Sequence, residues 1–431
     1  MAIAMNKMSL VQMLHAIEQG EYSAEALIHA CFDHIEAREP EVKAWQYQLD
    51  RSAYLSHYRD NQSFYEASQL KGLPIGIKDI IDTKDMPTEM GSPIHKGRQP
   101  IEDASCVALI RQAGGMVLGK TVTTEFAYFK PGKTQNPADL ARTPGGSSSG
   151  SAAAVADGMV PVALGSQTAA SVIRPAAYCG SIGYVGSRGE YSLRGGQPLA
   201  QSLDSLGLFS RYVEDIQLLR AILLRQSASV ANANFAAKKP KRILFCRGEL
   251  VGETSPAMNE AMQALADKLV AQGVEVIELE AGTRLQEMVD HHGNIMAWEV
   301  CRNLVLESQQ PDLLSAPLKQ LIDDGLSMDR ETYLSSLKAA EACCDWLWSS
   351  NSNIDAVLAP AASDIAPLGH DKTGSPHMSR PWQAMGLPVI TLPGMTDDNH
   401  LPLGIQLIGK PRTDDELLQV AKWVESLLVK A

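Results

Sequence analysis

The chain has 431 residues, 45% of them hydrophobic and 20% charged, an ordinary globular composition with no window apolar for long enough to span a bilayer. Its 38 Lys plus Arg against 50 Asp plus Glu leave a formal charge of −12, which argues against a general nucleic-acid or anionic-membrane surface and suits a small substrate. The length admits two average domains or one large α/β domain with a continuous core. The opening MAIAMNKMSL carries one lysine and no apolar stretch of signal length, so the chain reads as cytosolic. Its seven cysteines, at 31, 106, 179, 246, 301, 343 and 344, lack CxxC spacing and read as reduced structural thiols. There is no HExxH. His291 and His292 are neighbours that a helix would point in different directions, so they read as a solvated surface pair and not as a metal site.

Taken in chain order, Ser9 with Gln12 three residues on has capping-box spacing, and Leu10, Met13, Leu14 and Ile17 mark one helical face that ends at Gly20. A second helix starts near Ser23, carries Leu27, Ile28, Cys31 and Ile35, and is expected to stop before Pro40. The period then changes: Leu73 to Ile81 is a short β-rich run bounded by Gly and Pro. Ala104 to Leu118 reads as helix then strand through the Gly114-Gly115 break, and Val155 to Leu164 as another helix-to-strand passage. A loop is expected from Gln226 to Pro240, a strand over Arg242 to Cys246, and a helical block from Pro256 to Ser350 interrupted by a strand at Val274 to Leu279. Three further strands, Ala356 to Ala359, Val389 to Leu392 and Gly404 to Ile408, precede an amphipathic helix from Asp414 to Val429. Alternation of this kind predicts an α/β sheet covered on both faces. Because strands come from both ends of the chain, one intertwined domain over 1–431 is expected, with a helical N-terminal segment (about 1–60), a core (about 72–220) and the helical block (about 256–350).

The most unusual segment is TPGGSSSGS, Thr143 to Ser151, followed by the small-residue run Ala152 to Ala156. Three readings compete for it. Composition alone suits a flexible loop, although the run is short and stands between ordered elements. A phosphate cradle would need a lysine after Gly150, and none follows. Gly146 to Gly150 formally satisfies GxSxG, but Ala141 to Pro144 does not read as the buried strand that a nucleophile elbow requires. Downstream, GSQTAAS from Gly165 to Ser171 forms a second small-residue turn, where a terminal serine could face backbone N–H groups and so combine nucleophile and oxyanion donors. Lys78, in PIGIKDIID, supplies a base if isoleucine neighbours desolvate it and lower its pKa. The bland alternative is a surface strand lysine paired with Asp79 or Asp82.

Together, GLPIGIKDIIDT from Gly72, the stretch from Thr143 to Gly180, SLDSLGLFSRYVED from Ser202, LPVITLPG from Leu387 and LPLGIQLIG from Leu401 resemble the amidase signature family over nearly the whole chain. Within it, IKDIIDTKDMPTEMGSPI and SVIRPAAYCG look closest to malonamidase. The resemblance implies a single α/β/α domain around a mixed, mostly parallel twisted sheet, and a Ser–cis-Ser–Lys triad that needs no cofactor or metal. Matched residue by residue, it makes Ser171 the nucleophile, Ser147 (after a cis peptide with Gly146) the proton relay and Lys78 the base. It gives the oxyanion donors as the N–H groups of Thr168, Ala169 and Ala170, and Ser166 as support for the network. Arg174 matches an arginine that recognises a substrate carboxylate, a role suited to a planar guanidinium, although it could equally tie down its own loop. The implied reaction is hydrolysis of a small carboxamide, such as malonamate, to acid and ammonia, with the small-molecule amide as partner and a homodimer possible. Two departures stand out: Ala169-Ala170 replaces the family's Gly-Gly, and Tyr184-Val185-Gly186 replaces an aromatic residue with Lys-Pro. If either alanine position needs φ > 0, the pair is strained, and a catalytically impaired ligand-binding protein or a transamidase subunit becomes the alternative.

Overall fold

The computed structural model describes residues 3–226 and 236–428; most of the loop expected from Gln226 to Pro240, and Val429 in the last expected helix, lie outside them. Helix α1 (Leu10–Glu18) begins as its sequence dictates. Ser9 Oγ accepts the Gln12 N–H and the Gln12 side chain accepts the Ser9 N–H, both at 2.9 Å, so two otherwise orphan donors are satisfied. Helix α2 (Ala24–Val42) starts at Ser23 and buries Leu27, Ile28, Cys31 and Ile35. It does not stop before Pro40 but runs on to Val42, with Lys43 left-handed behind it. A proline there removes a single donor, and the carboxylate of Glu39 gathers the chain's exit by accepting the N–H groups of Ala44 and Trp45 at 2.8 and 3.0 Å.

The chain continues through β1 (Trp45–Gln48), α3 (Arg51–Asp60), α4 (Gln62–Ala67), β2 (Pro74–Lys78), α5 (Ser105–Gln112), β3 (Met116–Thr121), α6 (Ser149–Asp157) and β4 (Val162–Gln167). Next come α7 (Ile173–Cys179), β5 (Ile182–Val185), β6 (Ser205–Ser210) and α8 (Val213–Leu223). The rest comprises β7 (Arg242–Phe245), α9 (Pro256–Ala271), β8 (Glu275–Glu278), α10 (Arg284–Asn303), α11 (Ala316–Ser327), α12 (Arg330–Ser350), β9 (Ala356–Pro360), α13 (Arg380–Ala384), β10 (Val389–Thr396), β11 (Pro402–Ile408) and α14 (Asp414–Leu428).

The eleven strands of the described residues join one mixed sheet in the order β1-β3-β2-β4-β6-β5-β10-β11-β9-β7-β8. The expectation of a mixed α/β sheet is met, but "mostly parallel" needs correction. Parallel pairing is confined to β3/β2/β4 and β9/β7/β8, and the whole centre from β4 to β9 is antiparallel. The reason lies in the connections. A parallel pair needs a crossover, whereas β10 and β11 are linked only by residues 397–401 and β5 and β6 by a segment without a helix.

The central strands separate two cores. Ile75 and Ile77 of β2 and Leu164 of β4 point into one; Leu118 of β3 and Ala163 of β4 point into the other, with Ala152 to Ala154 of α6, as period-2 alternation requires. Helix α6 can sink this far only because it begins with small residues. A Cβ at Gly150 would lie 2.2 Å from the Ala44 carbonyl oxygen and 2.4 Å from the Val122 nitrogen. The consequence is positional: the serine run ahead of α6 is held over the end of β2, where Lys78 is the last strand residue.

Candidate active site

Lys78 is fully buried. Its Nζ donates to Ser147 Oγ at 2.6 Å, to Ser166 Oγ at 2.9 Å and to the Ser166 carbonyl at 3.3 Å. The surface ion pair that sequence allowed is absent, because Asp79 stands 3.6 Å from Lys120 and Asp82 accepts from Arg98 at 2.7 Å. Burial therefore pushes the Lys78 pKa well below the usual 10.5, with only the charge of Asp204 opposing it. The Gly146-Ser147 peptide is cis. Ser148 is the N-cap residue of α6, and no named strand runs into this turn from 136–145, so the nucleophile-elbow reading does not fit.

The second turn closes against the first. Ser148 N–H donates to the Ser171 carbonyl at 3.2 Å, and Ser171 Oγ makes no hydrogen bond among the described residues. Gln167 shapes the turn by accepting the N–H groups of Val172 and Ile173 at 2.9 and 3.1 Å, while its amide donates to Gln383 at 2.8 Å. Thr168 is held from two sides: its hydroxyl donates to Asp204 at 2.6 Å and its carbonyl accepts from His292 Nε2 at 2.8 Å. With those anchors, the N–H groups of Ala169, Ala170 and Ser171 find no acceptor among the described residues and remain free for a ligand. Neither alanine has positive φ. The Ala-Ala pair is thus free of left-handed strain.

Ser147, Thr168, Ala169, Ala170, Ser171 and Arg174 line one small cavity of about 20 Å³, together with Phe129, Thr373 and Arg380. Arg174 is only 4% exposed. Its Nη1 donates to the Gly374 carbonyl at 2.7 Å, and its Nη2 to the Gly146 carbonyl at 2.6 Å and to Thr373 Oγ1 at 3.1 Å. Most of its donors therefore tie the turn, and burial lowers its pKa to about 10, so it stays cationic at neutral pH. The structure thus brings every site residue inferred from sequence to one place.

Sequence reasoning missed Asp204, His292, Gln383 and Arg380. The reading of His291 and His292 as a solvated pair is wrong for His292, which is fully buried. Burial, then the charge of Arg380, pushes its pKa down to about 3, so a neutral imidazole donates to Thr168. The signal was available: Met288, His292 and Met296 fall four residues apart on the buried face of α10. Asp204, whose second oxygen accepts the N–H groups of Leu199 and Ala200 at 2.8 and 3.0 Å, has a pKa raised to about 6 by burial. Among the described residues no three His, Cys, Asp or Glu side chains cluster as a metal site, and no helix is long and apolar enough to cross a membrane.

The family model described as Amidase matches residues 26–418. The chain is 27% identical to a glutamyl-tRNA(Gln) amidotransferase subunit from a Sulfurihydrogenibium species, over 98% of this chain and 97% of that protein. It is 30% identical to the corresponding subunit from a Picosynechococcus species, over 96% and 97%. Among solved structures, a crystal structure of an amidase superposes with a TM-score of 0.87 at 25% identity, covering 98% of this chain and all of that one. The corresponding glutamyl-tRNA(Gln) amidotransferase subunit from Thermotoga maritima superposes with a TM-score of 0.81 at 25% identity, covering 99% and 96%. These similarities do not single out malonamidase. With more than half of its length matched by the family model, the chain belongs to the amidase signature family.

Proposed function

We propose that this chain hydrolyses a small carboxamide, one that bears a carboxylate, to acid and ammonia through an acyl-enzyme on Ser171. The observation that carries the reading is the buried Lys78 amine 2.6 Å from Ser147 Oγ, beside a turn that presents Ser171 and unused N–H groups to one cavity. Desolvation keeps part of Lys78 neutral, so its lone pair can take a proton from Ser147. Ser147 in turn takes the Ser171 proton as that oxygen bonds to the amide carbonyl carbon. Negative charge on the carbonyl oxygen meets the unused N–H groups of the turn, those of Ala169, Ala170 and Ser171. The proton returns from Lys78 through Ser147 to the amide nitrogen, the C–N bond breaks, and ammonia leaves an ester on Ser171. Water then attacks that ester and gives its proton along the same path, and Ser171 regains a proton as the acid departs.

A second reading draws on the relatives, which are named as subunits of a glutamyl-tRNA(Gln) amidotransferase. In it the same site releases ammonia from a donor amide for use inside a complex. The two readings differ in what the chain does alone. Ammonia release from a panel of neutral and acidic amides, compared between wild type and Ser171→Ala, separates them. The proposal predicts turnover by wild type and a loss of at least about a thousandfold in the variant. A folded wild type as inert as the variant contradicts it, and release restored only by partner subunits and tRNA supports the second reading.

A further inference from the structure

Arg380 begins α13 and borders the cavity that holds Ser171. It is half-buried, yet among the described residues its guanidinium makes no hydrogen bond and no ion pair, and its Nε is buried without a partner. Arg174 lies near enough for the two charges to oppose one another. Its own Nε is likewise buried and unpartnered, and its Nη donors are spent on Gly374, Gly146 and Thr373. No carboxylate of the described residues forms an ion pair with either. Tyr128 and Asp290 act on Arg380 through their charge without forming an ion pair with it, so two cations without a paired carboxylate stand beside one small cavity, an excess of positive charge that a bound anion would relieve. Other buried groups feel the same field: after burial, the charge of Arg380 is the next cause that lowers the pKa of His292, and it also lowers that of His377.

From this we infer that Arg380, not Arg174, is the carboxylate-recognising residue of the amide substrate, and that Arg174 is a positioning residue that holds the Gly146 carbonyl and so the Ser147 turn. The inference rests on the proposed hydrolysis for its kinetic arm only. A free, planar fork can meet both oxygens of a carboxylate, whereas Arg174 already has three of its five N–H donors engaged.

The test compares malonamate with propionamide, which differ in carboxylate against methyl. Arg380→Gln is expected to lower the ratio of kcat/KM for malonamate over propionamide on the order of 10- to 100-fold, with Arg380→Lys recovering part of it. Arg174→Gln is expected to lower kcat on both amides alike. A binding arm works without turnover: malonate should raise the melting midpoint of wild type and of Ser171→Ala, and fail to raise that of Arg380→Gln. An unchanged ratio, or a midpoint shift by malonate that survives in Arg380→Gln, overturns the assignment. If no variant turns over any amide, hydrolysis by the chain alone fails while the malonate shift still decides Arg380.

Discussion

Two lysines on neighbouring strands are equally buried and differently used. Lys120 on β3 and Lys78 on β2 are both fully buried, but Lys120 stands 3.6 Å from the carboxylate of Asp79 and also donates to Thr88 Oγ1 and the Ile81 carbonyl. Burial brings its pKa down to about 8, with Asp79 opposing. Lys78 has serine hydroxyls in place of a carboxylate, and burial likewise lowers its pKa, with only the charge of Asp204 opposing. Arginines repeat the contrast. Arg220, near the start of α14, meets Glu190 at 3.0 Å and Asp415 at 2.8 Å, whereas Arg174 and Arg380 meet no carboxylate among the described residues. Burial of a cation is therefore not the mark of the site. Burial without a paired carboxylate at the edge of the Ser171 cavity is, because the cost is then left for a proton transfer or a ligand to relieve; Arg211, which also lacks an ion pair among the described residues, is instead satisfied by the carbonyls of Asn6, Met8, Val155 and Val160.

That contrast can be broken first by paired substitutions. Lys78→Met should abolish ammonia release, by at least about a thousandfold, while costing the fold less than the matching change on β3. Lys120→Met strands the buried Asp79 and should cost about 3 kcal/mol of stability while the folded fraction keeps its turnover; denaturant melts with per-site kinetics check both. Equal effects of the two substitutions on turnover would erase the distinction.

A pH–rate profile sharpens it next. Activity requires neutral Lys78, so the rate should fall as pH drops through its lowered pKa, placing the acid limb well below the 10.5 of an ordinary lysine. A limb near that ordinary value would mean that burial does not lower the Lys78 pKa. Smaller effects are expected where the turn is merely held. Asp204→Asn or His292→Phe removes one anchor of Thr168 and should lower kcat roughly tenfold with little change in KM. The smallest effect belongs to Ala169→Gly and Ala170→Gly: with neither position left-handed, stability should fall by no more than about 1 kcal/mol.

Local chemistry was the legible part of the fold. Ser9 with Gln12 announced α1, and the isoleucines around Lys78 announced β2, because both depend on residues a few places apart. Pro40 misled because Glu39, its neighbour, bonds forward to Ala44 and Trp45 in a way that propensity does not encode. Strand direction misled because it depends on connections, not on strand composition. At the site, Lys78, Ser147 and Ser171 were found through resemblance, and their spacing alone left bland alternatives standing. Asp204, His292 and Arg380 act on the 168–171 turn or its cavity from segments far away in sequence, and only the folded chain brings them there.

The central claim is that Ser171 is the hydroxyl that the Lys78–Ser147 pair activates. Intact-mass and peptide mass spectrometry after exposure to a serine-reactive fluorophosphonate tests it most directly. The account predicts a single adduct on Ser171, formed by wild type and lost in Lys78→Ala. Labelling of Ser147 in place of Ser171, or labelling of Ser171 that is indifferent to Lys78, would contradict it.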